Sequence, residues 1–205
     1  MSKVVTGEDG ATRCPWGTST AEYKAYHDQE WGRPTADDLR VYEKLCLEGF
    51  QAGLSWLTIL RKREGFRRAF AAFDPDVLAR FGPAEIERLV QDPGIVRHRG
   101  KIMATIANAR ATVRLREQGV GLAALFWRYE ADEAPGPRTE SSAVPASTPE
   151  AKALSGELRR KGYRYVGPTT VYSAMQALGV VNDHLEGCAF RSVCEGERAV
   201  FRVPR

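Results

Sequence analysis

The sequence predicts an all-α fold, on three observations. Apolar residues recur at spacings of three and four along most of the chain, turns rich in Gly and Pro punctuate them, and alternating strand patterns are nearly absent. The first clear helix reads as 36–49. Thr35 serves as its N-cap, Asp37 and Asp38 place negative charge in the first turn, and Leu39, Tyr42, Leu45 and Cys46 share a face. The next spans 54–73, with Leu57, Leu60 and Phe70 among its apolar positions. Asp74-Pro75 ends it and opens a short helix over 76–81. Pro83 opens another, at a position that tolerates proline. Residues 101–117 put Ile102, Ile106, Ala109 and Val113 on one side and stop near Gly119. The stretch 130–150 is rich in Pro, Ser, Thr and Ala and reads as an exposed loop, centred on 131–147. Thr148-Pro149-Glu150 then starts a helix over 150–161. A turn holding Gly162 and Gly167 leads to a helix over 171–178, so 150–179 forms a pair of helices. The expected organisation is one domain over 13–190, with a flexible tail at 1–12 and another at 191–205.

A chain of 205 residues, 43% hydrophobic and 27% charged, suits one soluble domain with a sizeable core. No apolar run approaches the roughly 18 residues of a membrane helix. Met1 to Arg13 lacks the apolar centre of a signal peptide. The expectation is a cytoplasmic protein with no membrane partner. The net charge of +4 permits nucleic-acid binding without requiring it. Four cysteines are too few for a disulfide framework and read better as metal ligands or core residues.

Cys14 and His27 near one end, and His184 and Cys188 near the other, make up a Cys2His2 set. Such a set satisfies tetrahedral zinc and leaves no open position, so the site is structural rather than catalytic. It also closes a long loop at a cost the metal offsets on folding. Neither pair has the spacing of a standard zinc finger, and the same residues also fit ordinary buried cysteines and hydrogen-bonded histidines. Cys46 falls in a core pattern, and Cys194 remains an alternative to Cys188.

The segment CLEGFQAGLSW at 46–56 sets Glu48 among apolar residues, where an unpaired carboxylate is costly. Trp56 follows, and Tyr23, Tyr26 and Trp31 surround His27 upstream. Aromatic faces with a lone carboxylate describe a pocket for a planar cationic ring. Taken alone they also describe a surface acid beside a core tryptophan. Basic clusters stand at Arg61-Lys62-Arg63 with Arg67-Arg68, at Arg97-His98-Arg99 with Lys101, and at Arg159-Arg160-Lys161 with Arg164. Each fits either phosphate contacts or a solvated face. The turn after the third offers free N–H groups to a phosphate, or makes a plain αα-hairpin.

RCPWG at 13–17, AYHDQEWG at 25–32, CLEGFQAGLSW at 46–56, LVQDPGIVRHRGKI at 89–102 and KGYRYVGPTTVYSAMQALGVVNDHLEGC at 161–188 are long, ordered motifs. On them the chain resembles the 3-methyladenine DNA glycosylase I family of the helix-hairpin-helix glycosylase superfamily. The resemblance covers about Arg13 to Cys188. It implies the helix-hairpin-helix glycosylase fold, with a structural Zn2+ held by Cys14, His27, His184 and Cys188 tying the two ends together. It implies that Glu48, Tyr26 and Trp56 line a pocket for a flipped base, with Tyr23 and Trp16 nearby. It implies DNA contacts at Gln51 and Gly53, facing the gap that the base leaves, and at Gly162, Gly167 and Thr169 in the hairpin. Phe50 departs from the family's polar residue, and Pro168 removes one N–H from the hairpin.

Many members of the superfamily use an aspartate shortly after the hairpin. By its offset, Asn182 and not Asp183 falls at that position. The implied substrate tolerates this, because N3-methylation puts positive charge on adenine and weakens the glycosidic bond. The implied enzyme is therefore an N-glycosyl hydrolase that flips N3-methyladenine from alkylated double-stranded DNA and releases it, beginning base excision repair. No lysine is placed as a lyase nucleophile, so it is monofunctional, and a monomer is expected. The competing reading is a zinc-stabilised helical module that binds DNA without cutting it.

Overall fold

The computed structural model describes residues 3–132 and 136–205. Among these the expected all-α class holds, apart from a small ribbon that pairs β1 (Val5–Thr6) antiparallel with β2 (Thr12–Arg13). The helices are α1 (Ala21–Gln29), α2 (Asp38–Gln51), α3 (Trp56–Ala69), α4 (Pro75–Leu78), α5 (Pro83–Gln91), α6 (Arg99–Glu117), α7 (Leu122–Trp127), α8 (Pro149–Arg160), α9 (Pro168–Ala177) and α10 (Ala189–Val200).

The core is built around α2. Its Val41, Tyr42, Leu45, Cys46, Leu47 and Phe50 are all buried, and it packs against α3, α6, α7 and α9. Asp37, not Thr35, caps it by accepting from the Leu39 and Arg40 N–H groups. An aspartate oxygen reaches two first-turn donors there, while the Thr35 hydroxyl accepts from the Asp37 N–H. Asp38 crosses to the Ala123 N–H and anchors the start of α7, a helix that the sequence reading lacked.

The helix expected over 54–73 ends at Ala69. Ala71, Ala72 and Phe73 follow with φ of 48°, 52° and 60°, a left-handed turn of three non-glycine residues. Such residues cost about 1–2 kcal/mol each. Burial of Phe66, Phe70 and Phe73 offsets that cost, with Phe70 and Phe73 stacked 5.7 Å apart. Asp74 then caps α4 through the Asp76 and Val77 N–H groups.

Among the described residues, neither 3–12 nor 191–205 is a free tail. The buried Arg13 donates to Asp9 within the β-ribbon and to Asp28 of α1, which fixes the ribbon to the domain. The segment given as a tail at 191–205 is mostly helix α10. Its Cys194 is buried, and Arg198 pairs with Glu130 and lies over Trp127. The amphipathic spacing of 189–200 explains the helix: Phe190 packs beside Cys14 and Cys188, and Phe201 beyond its end packs against Trp127. Part of the loop 131–147 lies outside the described residues. The remainder is not simply exposed, because Ser141 and Val144 line the cavity described below. Among the described residues no helix is long and apolar enough to cross a membrane.

Candidate functional site

Three helices bring the site together. On α1, Tyr23 and Tyr26 stand three residues apart and so project to one side, and His27 projects beside them. The last turn of α2 carries Glu48 and Gln51. A turn through Gly53, at φ +80°, then delivers Trp56 to the first position of α3. Ser55 caps α3 by accepting from the Thr58 N–H, and the Tyr23 hydroxyl accepts from the Leu57 N–H at 3.0 Å. One aromatic of the site thus anchors the helix that carries another.

These residues enclose a cavity of about 440 Å³. Trp16, Tyr23, Tyr26, Trp31 and Trp56 form its aromatic wall. The Tyr26 and Trp56 rings are 5.3 Å apart at 46°, and Trp16 meets Tyr23 and Trp31 edge-on at 5.7 and 5.1 Å. The Trp56 indole N–H is buried and without a partner. Glu48 also lines the cavity, 5% exposed. Among the described residues no group donates a hydrogen bond to its carboxylate. Burial pushes its pKa up to about 7, against the opposing pull of the Lys44 ammonium. All five predicted pocket residues, Trp16, Tyr23, Tyr26, Glu48 and Trp56, therefore meet in one cavity, and Gln51 reaches its edge.

Asn182, placed by its offset at the superfamily's aspartate position, is not the one of the two neighbours that reaches the cavity. Asp183 lines the cavity, whereas Asn182 faces away, accepting from the N–H of His184 and meeting its Nδ1 at 2.9 Å. The Asp183 carboxylate is fully engaged by Arg138, the Tyr172 hydroxyl and the Gln176 amide. An offset counted along the chain does not tell which of the two neighbours turns inward, because the segment 179–188 is irregular, with no helical period to fix it. Ser173 and Gln176 of α9 also went unrecognised. Their phase on the helix expected over 171–178 carried the signal, but small polar residues on a helix face do not by themselves mark a cavity lining.

Beside the cavity, Cys14, His27 and Cys188 are buried with their ligand atoms all within 4.8 Å of one another. Cys188 Sγ lies 3.6 Å from His27 Nε2. The fourth expected ligand, His184, is not among these three; its ring centroid lies 4.9 Å from that of His27, and its Nε2 is buried with no partner among the described residues. The Nδ1 atoms of both histidines are occupied, by Asp28 for His27 and by Asn182 for His184. Arg13 braces Asp28 in turn. Burial pushes the His184 pKa down to about 4, which keeps its imidazole neutral. Outer partners on Nδ1 that leave Nε2 free are the usual arrangement around metal-binding histidines. The backbone must come close for this. A Cβ on Gly17 would lie 2.6 Å from the His27 ring.

The α8–α9 turn is held rigidly. Asn108 of α6 accepts from the Arg164 N–H and donates to its carbonyl, and Ser155 donates to the Val166 carbonyl. Gly162, at φ +95°, and Thr169 are exposed, while Gly167 caps α9 with no side chain over the free N–H groups. Tyr165 in the same turn also takes a positive φ, of 56°. Gly53 and Leu54 are exposed beside the cavity mouth, and Gln51 donates to the Leu54 carbonyl. Several basic residues are spent on ion pairs: Arg61 with Glu22, Arg63 with Glu30, Arg67 with Glu43 and Arg99 with Glu87.

An aromatic cavity with one buried, unbonded carboxylate, set in an all-helical frame, defines the class: a helical protein built to take up a planar, electron-poor ring. Comparison with known proteins makes this particular. The methyladenine glycosylase family model matches residues 16–192, and the chain belongs to that family. It is 46% identical over 177 residues to DNA-3-methyladenine glycosylase 1 of Escherichia coli (strain K12), covering 86% of this chain and 95% of that protein. It is 41% identical over 182 residues to DNA-3-methyladenine glycosylase of Haemophilus influenzae, covering 86% and 96%. A crystal structure of 3-methyladenine DNA glycosylase I superposes with a TM-score of 0.84 at 44% identity, covering 86% of this chain and 98% of that one. A tyrosine-to-phenylalanine variant of such an enzyme, in complex with 3-methyladenine, superposes with a TM-score of 0.83 at 32% identity, covering 87% and 97%.

Proposed function

We propose that this protein is a DNA glycosylase that flips N3-methyladenine out of alkylated double-stranded DNA and releases it by hydrolysis. The carrying observation is Glu48, a buried carboxylate that no protein group hydrogen-bonds, facing an aromatic cavity in a methyladenine glycosylase chain.

The cationic base enters with its ring against Trp56 and Tyr26, and with Trp16 and Tyr23 closing the wall. Glu48 accepts a hydrogen bond from the exocyclic amine and faces the positive ring. In a site sheltered from water this attraction is much stronger than in solution. When the bond from the base to C1′ breaks, its electrons go to the base, which leaves neutral. Water adds its oxygen to C1′ and loses a proton. Asp183 is an unsuitable base for that proton because its oxygens are already engaged. An easily departing cationic base lessens the need for one. The cavity lining contains no lysine, which supports release without strand cleavage.

Zinc fits the Cys14, His27, His184 and Cys188 set, and the orphaned His184 Nε2 is the observation that supports four ligands rather than three. Its role is structural, joining the β-ribbon and α1 to the segment before α10. The helix-hairpin-helix reading assigns the α8–α9 turn, through Gly162, Gly167 and Thr169, to the DNA backbone. Gln51 and Gly53 face the vacated base position. The protein acts as a monomer. Incubation with methylated duplex DNA tests the proposal. It predicts free 3-methyladenine and abasic strands that stay intact. Tight DNA binding with no base released would instead establish the non-catalytic module.

A further inference from the structure

Behind the aromatic wall lies a cation that base release, as described, does not use. Lys44 precedes Glu48 by one turn of α2, so the two share a face. Its ammonium lies 4.5 Å from the Tyr26 ring centroid and 4.7 Å from that of Trp56, and donates to the Tyr26 hydroxyl oxygen at 3.0 Å. Lys44 does not line the base cavity. It borders a separate cleft of about 40 Å³ with Glu30, Arg40, Glu43, Arg63 and Arg67.

The carboxylates beside Lys44 on that side are already matched. Glu30 of α1 is bonded by Arg63 of α3, and Glu43 by Arg67. Across the cavity, Asp183 is held by Arg138, Tyr172 and Gln176. Among the described residues of this group, Lys44 and the solvent-exposed Arg40 are the cations without an ion pair, Glu48 is the carboxylate without one, and of the two cations Lys44 is the one that acts on Glu48. We propose that Lys44 is a positioning residue for base release: seated against the Tyr26–Trp56 pair outside the cavity, its ammonium is the counter-charge that keeps Glu48 a carboxylate in the empty pocket. This rests on the reading of Glu48 as the base-binding carboxylate.

A desolvated carboxylate takes up a proton unless a cation stands nearby. Burial raises Glu48 and Lys44 lowers it again; burial in turn pushes the Lys44 pKa down to about 8, and Glu48 supports its charge. A protonated Glu48 loses the negative charge that attracts a cationic base. Ionised by Lys44, it is ready before the base arrives. The incoming cation then competes with Lys44 for the same carboxylate.

The experiment measures kcat/KM for 3-methyladenine release from methylated duplex DNA, from mildly acidic to alkaline pH. It compares the wild type, Lys44→Met, Lys44→Gln, Lys44→Arg and Glu48→Gln, each with folding checked by thermal melting. The wild type should lose activity toward acid pH. In Lys44→Met and Lys44→Gln that limb should move up by about one pH unit, a loss of about tenfold near neutrality that recovers in alkali. Lys44→Arg should restore the wild-type limb, and Glu48→Gln should lack it. If Lys44→Met fails to fold, Lys44→Gln, which can still bond Tyr26, carries the same expectation. A folded neutral variant whose limb coincides with that of the wild type overturns the role of Lys44 alone. A limb that persists in Glu48→Gln overturns the reading of Glu48, and the role of Lys44 with it.

Discussion

At the scale of single residues, Glu48 carries the cost of a buried carboxylate. Its pKa is about 7 in the folded protein against an ordinary 4.5. Between these values the folded state holds more protons than the unfolded chain, so stability falls as pH rises through that window. Glu48→Gln should therefore melt above the wild type near neutrality, by on the order of 1–3 kcal/mol, and lose that advantage below pH 4.5. Melting curves across the window check this, and a neutral-pH loss of stability in Glu48→Gln would contradict it. Glu48 was conspicuous in the sequence as a carboxylate between Leu47 and Gly49 in an apolar run, but the local pattern fitted a surface acid as well, and the resemblance decided between them. Asp183 and Lys44 were not. Their meaning depends on which side chains converge in space, and neither breaks a local pattern.

At the scale of elements, the helices follow from periodicity and caps, while their junctions follow from tertiary packing. The α3–α4 junction shows the difference. Nothing in Phe70-Ala71-Ala72-Phe73 marks a left-handed turn, since no glycine or asparagine stands there. Phe70 and Phe73 must both enter the core, and only the reversed turn points them inward together. Ala72 is exposed at φ +52°, ψ +26°. Ala72→Gly should relieve strain there and stabilise by about 1 kcal/mol, raising Tm by about 2–4 °C. A lower Tm for the glycine variant would show the turn to be unstrained. The loop 131–147 was misjudged for a related reason. Its composition is that of an exposed linker, yet Ser141 and Val144 face the cavity. Composition reports average burial, not which two residues turn inward.

For the whole molecule, the two ends of the chain meet beside the pocket, and Tyr26 is adjacent in sequence to His27. The zinc proposed for the Cys-His cluster would thereby fix one wall of the cavity. Residue type raised the Cys-His set as a candidate but left buried cysteines and hydrogen-bonded histidines equally open; that α10 and the β-ribbon order both ends around it was not legible, because short elements carry little periodic signal. Cys14→Ser should lose stoichiometric zinc by elemental analysis and lower Tm by on the order of 10 °C. Unchanged metal content would remove Cys14 from the set. The central claim is that Glu48 draws a cationic base into the cavity and stabilises its departure. The most direct test is the single-turnover rate of 3-methyladenine release from methylated duplex DNA by the wild type and by Glu48→Gln, both shown to be folded. A fall of about 10²-fold or more is the predicted result, in keeping with the loss of one oriented electrostatic contact in a sheltered site; equal rates would contradict the account.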